Sequence, residues 1–297
     1  MGFLSFSQGD VRMNTELPRK VIGMSNADYH AANDFLGRSY LHAVAKGGGE
    51  VQRWMDAGYS MFAGNSATTL GSNFDTLVMA VCEGRSFADL VQVPPADVLA
   101  SNGARRGKAY DEWKAKAQAR GIIDVNAEDA WRLEQMLNHL LENPAAKRLV
   151  EQTNETQVSV FFALNGHRCK VRPDGCTPSL WWDLKSTSAT WDRLYRSVFD
   201  YGYAEQEWFY VQGAKALGYD DFRMPFVFVQ TMPPFACHVF YLPQELVNEA
   251  GLRMTRVMEE VRLRRETGVY EPADAGEITE LVIPKWALKQ EEEVVVL

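Results

Sequence analysis

The chain has 297 residues, enough for one large domain or for a core with a helical extension. At 46% hydrophobic and 24% charged it reads as soluble and globular, and no run of about 18 apolar residues offers a membrane span. The net charge of −8 argues mildly against nucleic acid as a partner, because phosphate contacts need Lys and Arg, although net charge does not decide what one groove holds.

Residues 1–22 read as a polar, loosely ordered lead-in. From there to about residue 150 the pattern is helical. Asn26-Ala-Asp-Tyr-His30 marks an early turn or cap. Leu70, Phe74, Leu77, Val78 and Val81 recur at helical spacing and predict a helix over 69–82. Residues 93–103 read as a loop, and 108–120 and 128–141 as helices. Asn143-Pro144 then opens a short helix, with proline at an early position it tolerates. Beyond residue 154 the pattern turns β-rich, and 156–164, 167–172 and 180–184 predict three adjacent strands. A helical stretch over 190–217 breaks near Asp200–Tyr203. Strands over 225–230 and 237–242 follow, and Pro243 opens a last long helix to about residue 266. Residues 286–297 form a tail ending in EEEVVVL. This order predicts an α/β fold, with one mixed sheet flanked by helices and the early helices on one side. A single domain would span 23–285, helical over 23–150 and with its sheet core over 151–285.

The chemistry concentrates in Lys170-Val-Arg-Pro-Asp174 and in Trp182-Asp183-Leu184-Lys185. Asp183 and Lys185 lie two apart on a strand and so point to one face. Asp174 ends the preceding strand of a plausible hairpin, which brings it beside Asp183. Glu155 starts the strand before that. Three carboxylates and one ammonium would meet at one end of the sheet. Such a cluster suits Mg²⁺, a hard cation that prefers oxygen ligands. A cation held there offsets charge on a phosphodiester at the transition state and eases deprotonation of water. Lys185 would add positive charge beside the developing anion.

Glu155, R-P-D at Arg172–Asp174, D-L-K at Asp183–Lys185, and Tyr203-Ala-Glu-Gln206 with Phe209-Tyr210 resemble the motifs of the PD-(D/E)XK nucleases. Within them the order is most similar to the RecE, or exonuclease VIII, group of phage-type exonucleases. That group's pattern runs R-P-D, D-x-K-T, then Y-x-x-Q-x-x-F-Y. Leu70-Gly-Ser-Asn-Phe-Asp75 resembles its L-G-x-x-x-H helix start, and Met24–His30 its opening segment. The likeness covers roughly residues 24–245. It implies a restriction-endonuclease-like core with Asp174 and Asp183 as metal ligands. Asp75 and the Leu184 backbone carbonyl would complete the metal shell, with Glu155 in support. Lys185 would be the catalytic lysine, and Gln206 would position the water or the scissile phosphate. Tyr210 would line the substrate path or pack in the core. One position departs, since the family has a histidine where this chain has Asp75, although aspartate also ligates Mg²⁺. The resemblance further implies a Mg²⁺-dependent exonuclease, with Mn²⁺ substituting. It would degrade linear duplex DNA 5′ to 3′ in phage-type recombination or end resection. A ring-shaped homo-oligomer and an annealing partner of the RecT kind are implied too.

Arg105-Arg106-Gly-Lys108 is a compact basic loop before a helix and a candidate for phosphate contacts. Arg172 and Lys170 share the strand face of Asp174 and could reach a phosphate near the cut. Gly47–Gly49 lacks the Lys-Ser/Thr of a P-loop. The helix over 253–265 alternates bases with acids and apolar residues, as a packing helix does. The alternatives are a PD-(D/E)XK endonuclease, a Cas4-like or helicase-associated nuclease, and a non-catalytic DNA-binding protein on the same fold. A Cas4-like nuclease needs clustered cysteines for an iron–sulfur centre. Cys82, Cys169, Cys176 and Cys237 are scattered, and with no export signal they read as reduced thiols of a cytoplasmic protein. No HExxH pair suggests zinc. The intact Asp174, Asp183 and Lys185 set argues against a non-catalytic role.

Overall fold

The computed structural model describes residues 16–59 and 66–272, with positions 277, 278, 280 and 283 beyond them. The expected tail over 286–297 and residues 1–15 of the lead-in lie outside the described residues. Strand β1 (Arg19–Val21) is followed by α1 (Asn26–Ala31), β2 (Leu36–Gly37), α2 (Arg38–Asp56) and α3 (Ser66–Cys82). Next come α4 (Phe87–Leu90), β3 (Val91–Gln92), α5 (Lys108–Ala119), β4 (Ile123–Asp124), α6 (Ala127–Glu142) and α7 (Pro144–Gln152). The strand-rich part holds β5 (Glu155–Thr156), β6 (Ser159–Leu164), β7 (His167–Val171), β8 (Gly175–Cys176) and β9 (Trp181–Thr187). Helices α8 (Leu194–Asp200) and α9 (Tyr203–Ala216), strands β10 (Phe226–Gln230) and β11 (Cys237–Phe240), and α10 (Gln244–Thr267) complete it.

Local chemistry sets the helix ends. The Asn143 side chain accepts from the amides of Ala145 and Ala146, and Pro144 follows where no amide donor is needed. Gly202, at φ 62°, starts α9 in the left-handed region, and a Cβ there would stand 2.4 Å from the His42 ring. Only glycine fits both conditions, so the break expected near residues 200–203 falls there.

The expected single mixed sheet is in fact divided. One sheet runs β1-β6-β7-β2, a second runs β11-β10-β9-β8-β5, and β3 pairs with β4 apart from both. The lead-in is not wholly loose either, because Arg19–Val21 pairs antiparallel with β6 and covers its edge. The division has a local cause. Asn165 and Gly166, both at positive φ, close a tight hairpin between β6 and β7. Its register runs from Leu164↔His167 to Val160↔Val171 and resumes in step at Thr156↔Gly175 and Glu155↔Cys176. Between these stretches Pro173 has no amide to donate, and Gln157 sits at φ 45°. The ladder breaks there. The tip of the hairpin joins one sheet, its base joins the other, and Asp174 stands at the hinge.

The second sheet is covered on both faces. Trp181, Phe226 and Phe228 pack with Phe209 and Ala214 of α9 and Met254 of α10. Trp182, Leu184, Val227 and Val229 pack on the other side with Phe74 of α3, Met136 of α6 and Leu149 of α7. Each buried indole removes about 150–250 Å² from water, on the order of 4–6 kcal/mol before entropy is counted. These contacts anchor β9 on either side of Asp183.

Candidate active site

The site forms where β8 gives way. Gly175 pairs with Trp182, so one further step in the same register sets Asp174 opposite Asp183. There a side chain replaces the ladder, and the Asp174 Oδ2 accepts the Leu184 N–H at 2.7 Å. The Asp183 amide donates to Pro225, and the Thr187 carbonyl accepts from Thr231, so these odd-numbered residues bond towards β10. Strand alternation turns the Leu184 peptide groups the other way. Its carbonyl therefore shares the edge that Asp174 occupies. Lys185 ion-pairs with Asp183, and the Gln206 Nε2 donates to the Asp183 Oδ2 at 2.5 Å. Asp75 arrives from α3, where its Oδ2 accepts from the Gln157 Nε2 at 3.0 Å.

The charges are crowded. Burial, and then the charge of Asp183, raises the Asp75 carboxyl to about 6. Burial with Asp183 and Asp75 raises Asp174 well above the ordinary carboxyl range. Burial alone would lower Lys185, but Asp183 and Asp174 outweigh it and hold the ammonium protonated. Hard oxygen donors under unrelieved repulsion fit a divalent cation. Among the described residues no group of three His, Cys, Asp or Glu stands ready to hold one. Asp75 and Asp174 each give Oδ2 to a protein donor, and Asp183 gives Oδ2 to Gln206 and Oδ1 to Lys185.

Two clefts meet at this cluster, and Asp75, Asp174 and Lys185 line both. The first encloses about 1190 Å³ and carries Arg38, Lys170, Arg172 and Tyr210. The Lys170 Nζ donates to the carbonyls of Tyr29 at 2.6 Å and Ala32 at 2.9 Å. The Arg172 guanidinium donates to Met24 at 2.8 Å and Ser25 at 3.3 Å. Both therefore pin the α1 segment over the cleft. Arg38 donates to the Gly202 carbonyl at 2.8 Å. Neutral carbonyls orient these cations without cancelling their charge, and burial pulls Lys170 down to about 8. The cleft thus sets these cations beside the carboxylates of Asp56, Asp75, Asp174 and Asp183.

Asp75, Asp174, Asp183, Lys185, Gln206, Arg172 and Tyr210 all line the first cleft. Tyr210 also packs, its hydroxyl donating to the Arg172 carbonyl at 3.2 Å. Glu155 is not gathered in; it pairs with Lys20 and lines neither cleft. The basic loop also stays outside both clefts, with Arg105 near Asp124 at 3.8 Å and Lys108 near Glu112 at 3.9 Å. Arg106 lines neither cleft. Sequence reasoning missed Arg38 and Gln157. Arg38 carries no motif. Gln157 was within reach, because the Asn165-Gly166 turn fixes the register that sets it opposite Asp174.

A family model described as a PDDEXK-like domain of unknown function (DUF3799) matches residues 39–281. The structure is similar to the crystal structure of a protein described as a putative exonuclease from Eubacterium rectale. The TM-score is 0.54 at 13% identity, over 89% of this chain and 97% of that one, which shows a shared fold. A Vibrio cholerae protein structure aligns at 11% identity over 81% of this chain and 60% of that one, but its TM-score of 0.18 carries no weight. No curated protein matches the chain in sequence.

Proposed function

The chain belongs to the PDDEXK-like family, and we propose that it is a divalent-metal-dependent exonuclease acting on linear double-stranded DNA. One observation carries this reading. Asp174 and Asp183 face each other across a broken ladder, with Lys185 two residues on and Asp75 alongside, where two clefts meet. The fold shared with the Eubacterium rectale protein and the motif resemblance to the RecE group support the exonuclease mode over an endonuclease mode.

Asp75, Asp174, Asp183 and the Leu184 carbonyl would hold the cation, Mg²⁺ by the hardness of its donors. Such an ion, when bound, offsets charge on the phosphate and eases deprotonation of water. The remaining work falls to the chain. The Gln206 amide fixes the Asp183 carboxylate in one rotamer. Asp183 in turn aims the Lys185 ammonium at the junction of the clefts, where it meets charge developing on the phosphate oxygens. The Gln157 amide orients Asp75, and Arg172 orients Gln157 through a 3.4 Å contact. Arg38, Lys170 and Arg172 draw the phosphate backbone into the first cleft.

The test is digestion of end-labelled linear duplex beside the same DNA as a closed circle, with Mg²⁺, with Mn²⁺ and with chelator. Loss of the linear form alone, stopped by chelator, is expected, with the 5′ label released first. Equal loss of circles would assign an endonuclease. A folded protein that cuts neither substrate with either metal would remove the reading.

A further inference from the structure

The second cleft, of about 620 Å³, differs in kind from the first. Ser72, Ser186, Thr187, Ser188, Ser197 and Thr231 give it hydroxyl walls. Among its described lining residues, the charged side chains are those of the shared cluster, Asp75, Asp174 and Lys185. Gly71 keeps it open, since a Cβ there would stand 2.6 Å from the Ser186 Oγ. Its size lies within the range of about 300–1,000 Å³ found for small-ligand sites.

Tyr201 also lines this cleft and is 58% exposed, an aromatic face turned to solvent with little part in the core. It lies nearly parallel to Tyr203, centroids 5.9 Å apart with 28° between planes. Tyr203 in turn carries the Lys185 ammonium over its ring at 5.2 Å. A line of two rings thus leads from solvent to the lysine of the site. Hydroxyls and an exposed ring suit a ligand that is flat, polar at its edges and uncharged where it touches them. A nucleoside has that character, and its phosphates belong with the cations next door.

We propose that the second cleft seats a nucleotide of the strand being cut, with its base stacked on Tyr201 and its sugar and base edges bonded by the hydroxyls of Ser186, Ser188 and Thr231. The adjoining phosphates cross the carboxylates into the first cleft. A base whose edges bond those hydroxyls cannot also be paired, so the cleft takes its nucleotide from a single strand. This rests on the nuclease reading, and it adds which face of the site reads the base.

The experiment compares Tyr201→Ala, Tyr201→Phe and wild type on single-stranded oligonucleotides, intact or with one abasic nucleotide moved stepwise past the cut. Stacking of one base supports about a tenfold change in affinity. Tyr201→Ala should raise KM about tenfold with kcat nearly unchanged, and Tyr201→Phe should match wild type. Wild type should show a similar loss when the abasic position falls in the cleft, and Tyr201→Ala should be indifferent to it. Ser188→Phe, which fills the cleft from an exposed position, should weaken cleavage of both strands. Melting curves confirm that each variant is folded. An active wild type with Tyr201→Ala its equal, or with no response to an abasic site at any position, overturns this proposal and leaves the nuclease reading standing. A wild type that cuts linear duplex but none of these strands overturns this proposal alone, and one that cuts neither removes both.

Discussion

Asp174 and Glu207 are both buried carboxyls pushed above their ordinary range, and burial is the largest cause in each case. Their surroundings differ. Asp174 lines two clefts and faces Asp183, Asp75 and Lys185. Glu207 lies one residue beyond Gln206 on α9, is 1% exposed and lines neither cleft. Arg223 and the backbone near Met224 and Leu242 offset only part of its burial cost. A raised carboxyl therefore marks unbalanced charge, and access decides what can balance it. At Asp174 a cation from solution can do so. At Glu207 only a proton can. The first region should respond to metal as well as to pH, and the second to pH alone.

The largest effects are expected at Lys185 and Asp174. Lys185→Ala should lower cleavage by about 10²–10³-fold, the loss typical of removing one preorganised transition-state donor. DNA affinity should change only a few-fold, as filter binding can measure. Unchanged cleavage would place the lysine outside the chemistry. Next comes Asp174→Asn. It removes a buried, repelled charge, so the metal-free protein should melt higher while cleavage is lost. Saturating Mn²⁺ should stabilise wild type, by about 2.7 kcal/mol at a hundred times Kd, and leave the variant unmoved. Equal metal shifts in both proteins would break the contrast with Glu207.

Glu207 supplies the pH arm. Its folded pKa of about 7 lies above the ordinary 4.5, so the folded state binds the extra proton between those values. Its contribution is intact below pH about 4.5, falls as pH rises through the window, and is fully lost above about 7. The loss is on the order of 3–4 kcal/mol, at about 1.4 kcal/mol per unit. Glu207→Gln should flatten this slope, stabilising the protein at pH of about 8 and doing little at about 4.5, with cleavage unchanged. Urea melts at the two pH values check it, and an equal shift at both would assign the effect to packing.

The same contrast explains what could be read from sequence. Asp183, Lys185 and Gln206 sit in regular elements, where strand alternation and helix spacing carry position directly. The long helices, from α3 to α10, announce themselves by period and by caps such as Asn143. The split of the sheet was not legible, because it depends on one proline and one left-handed Gln157 that break pairing without breaking register. Glu155 was expected beside Asp174 because it opens the preceding strand. That register instead sets it opposite Cys176, where Lys20 from β1 takes its charge. Arg38 was invisible, since what matters is the Gly202 carbonyl, 164 residues away, that its guanidinium meets.

The smallest effect is expected at the basic loop, and it separates cleft from surface. Arg105 is only loosely paired, and the Lys108 side chain is 91% exposed. The exposed Lys108–Glu112 pair contributes about 0–1 kcal/mol and the half-buried Arg105–Asp124 contact is long, so alanine at Arg105, Arg106 and Lys108 should barely shift the melting temperature. Lying outside both clefts, the loop can meet only DNA that flanks the cut. Cleavage of a short oligonucleotide should then stay within about twofold of wild type. Binding of long duplex should weaken, and its salt dependence should flatten by up to about 0.9 for each phosphate that the loop no longer neutralises. Arg38→Ala, inside the first cleft, should instead weaken short and long substrates alike. If the triple alanine variant behaved in that way too, the loop would have to fold onto the cleft when DNA binds, and the separation between cleft and surface would fail.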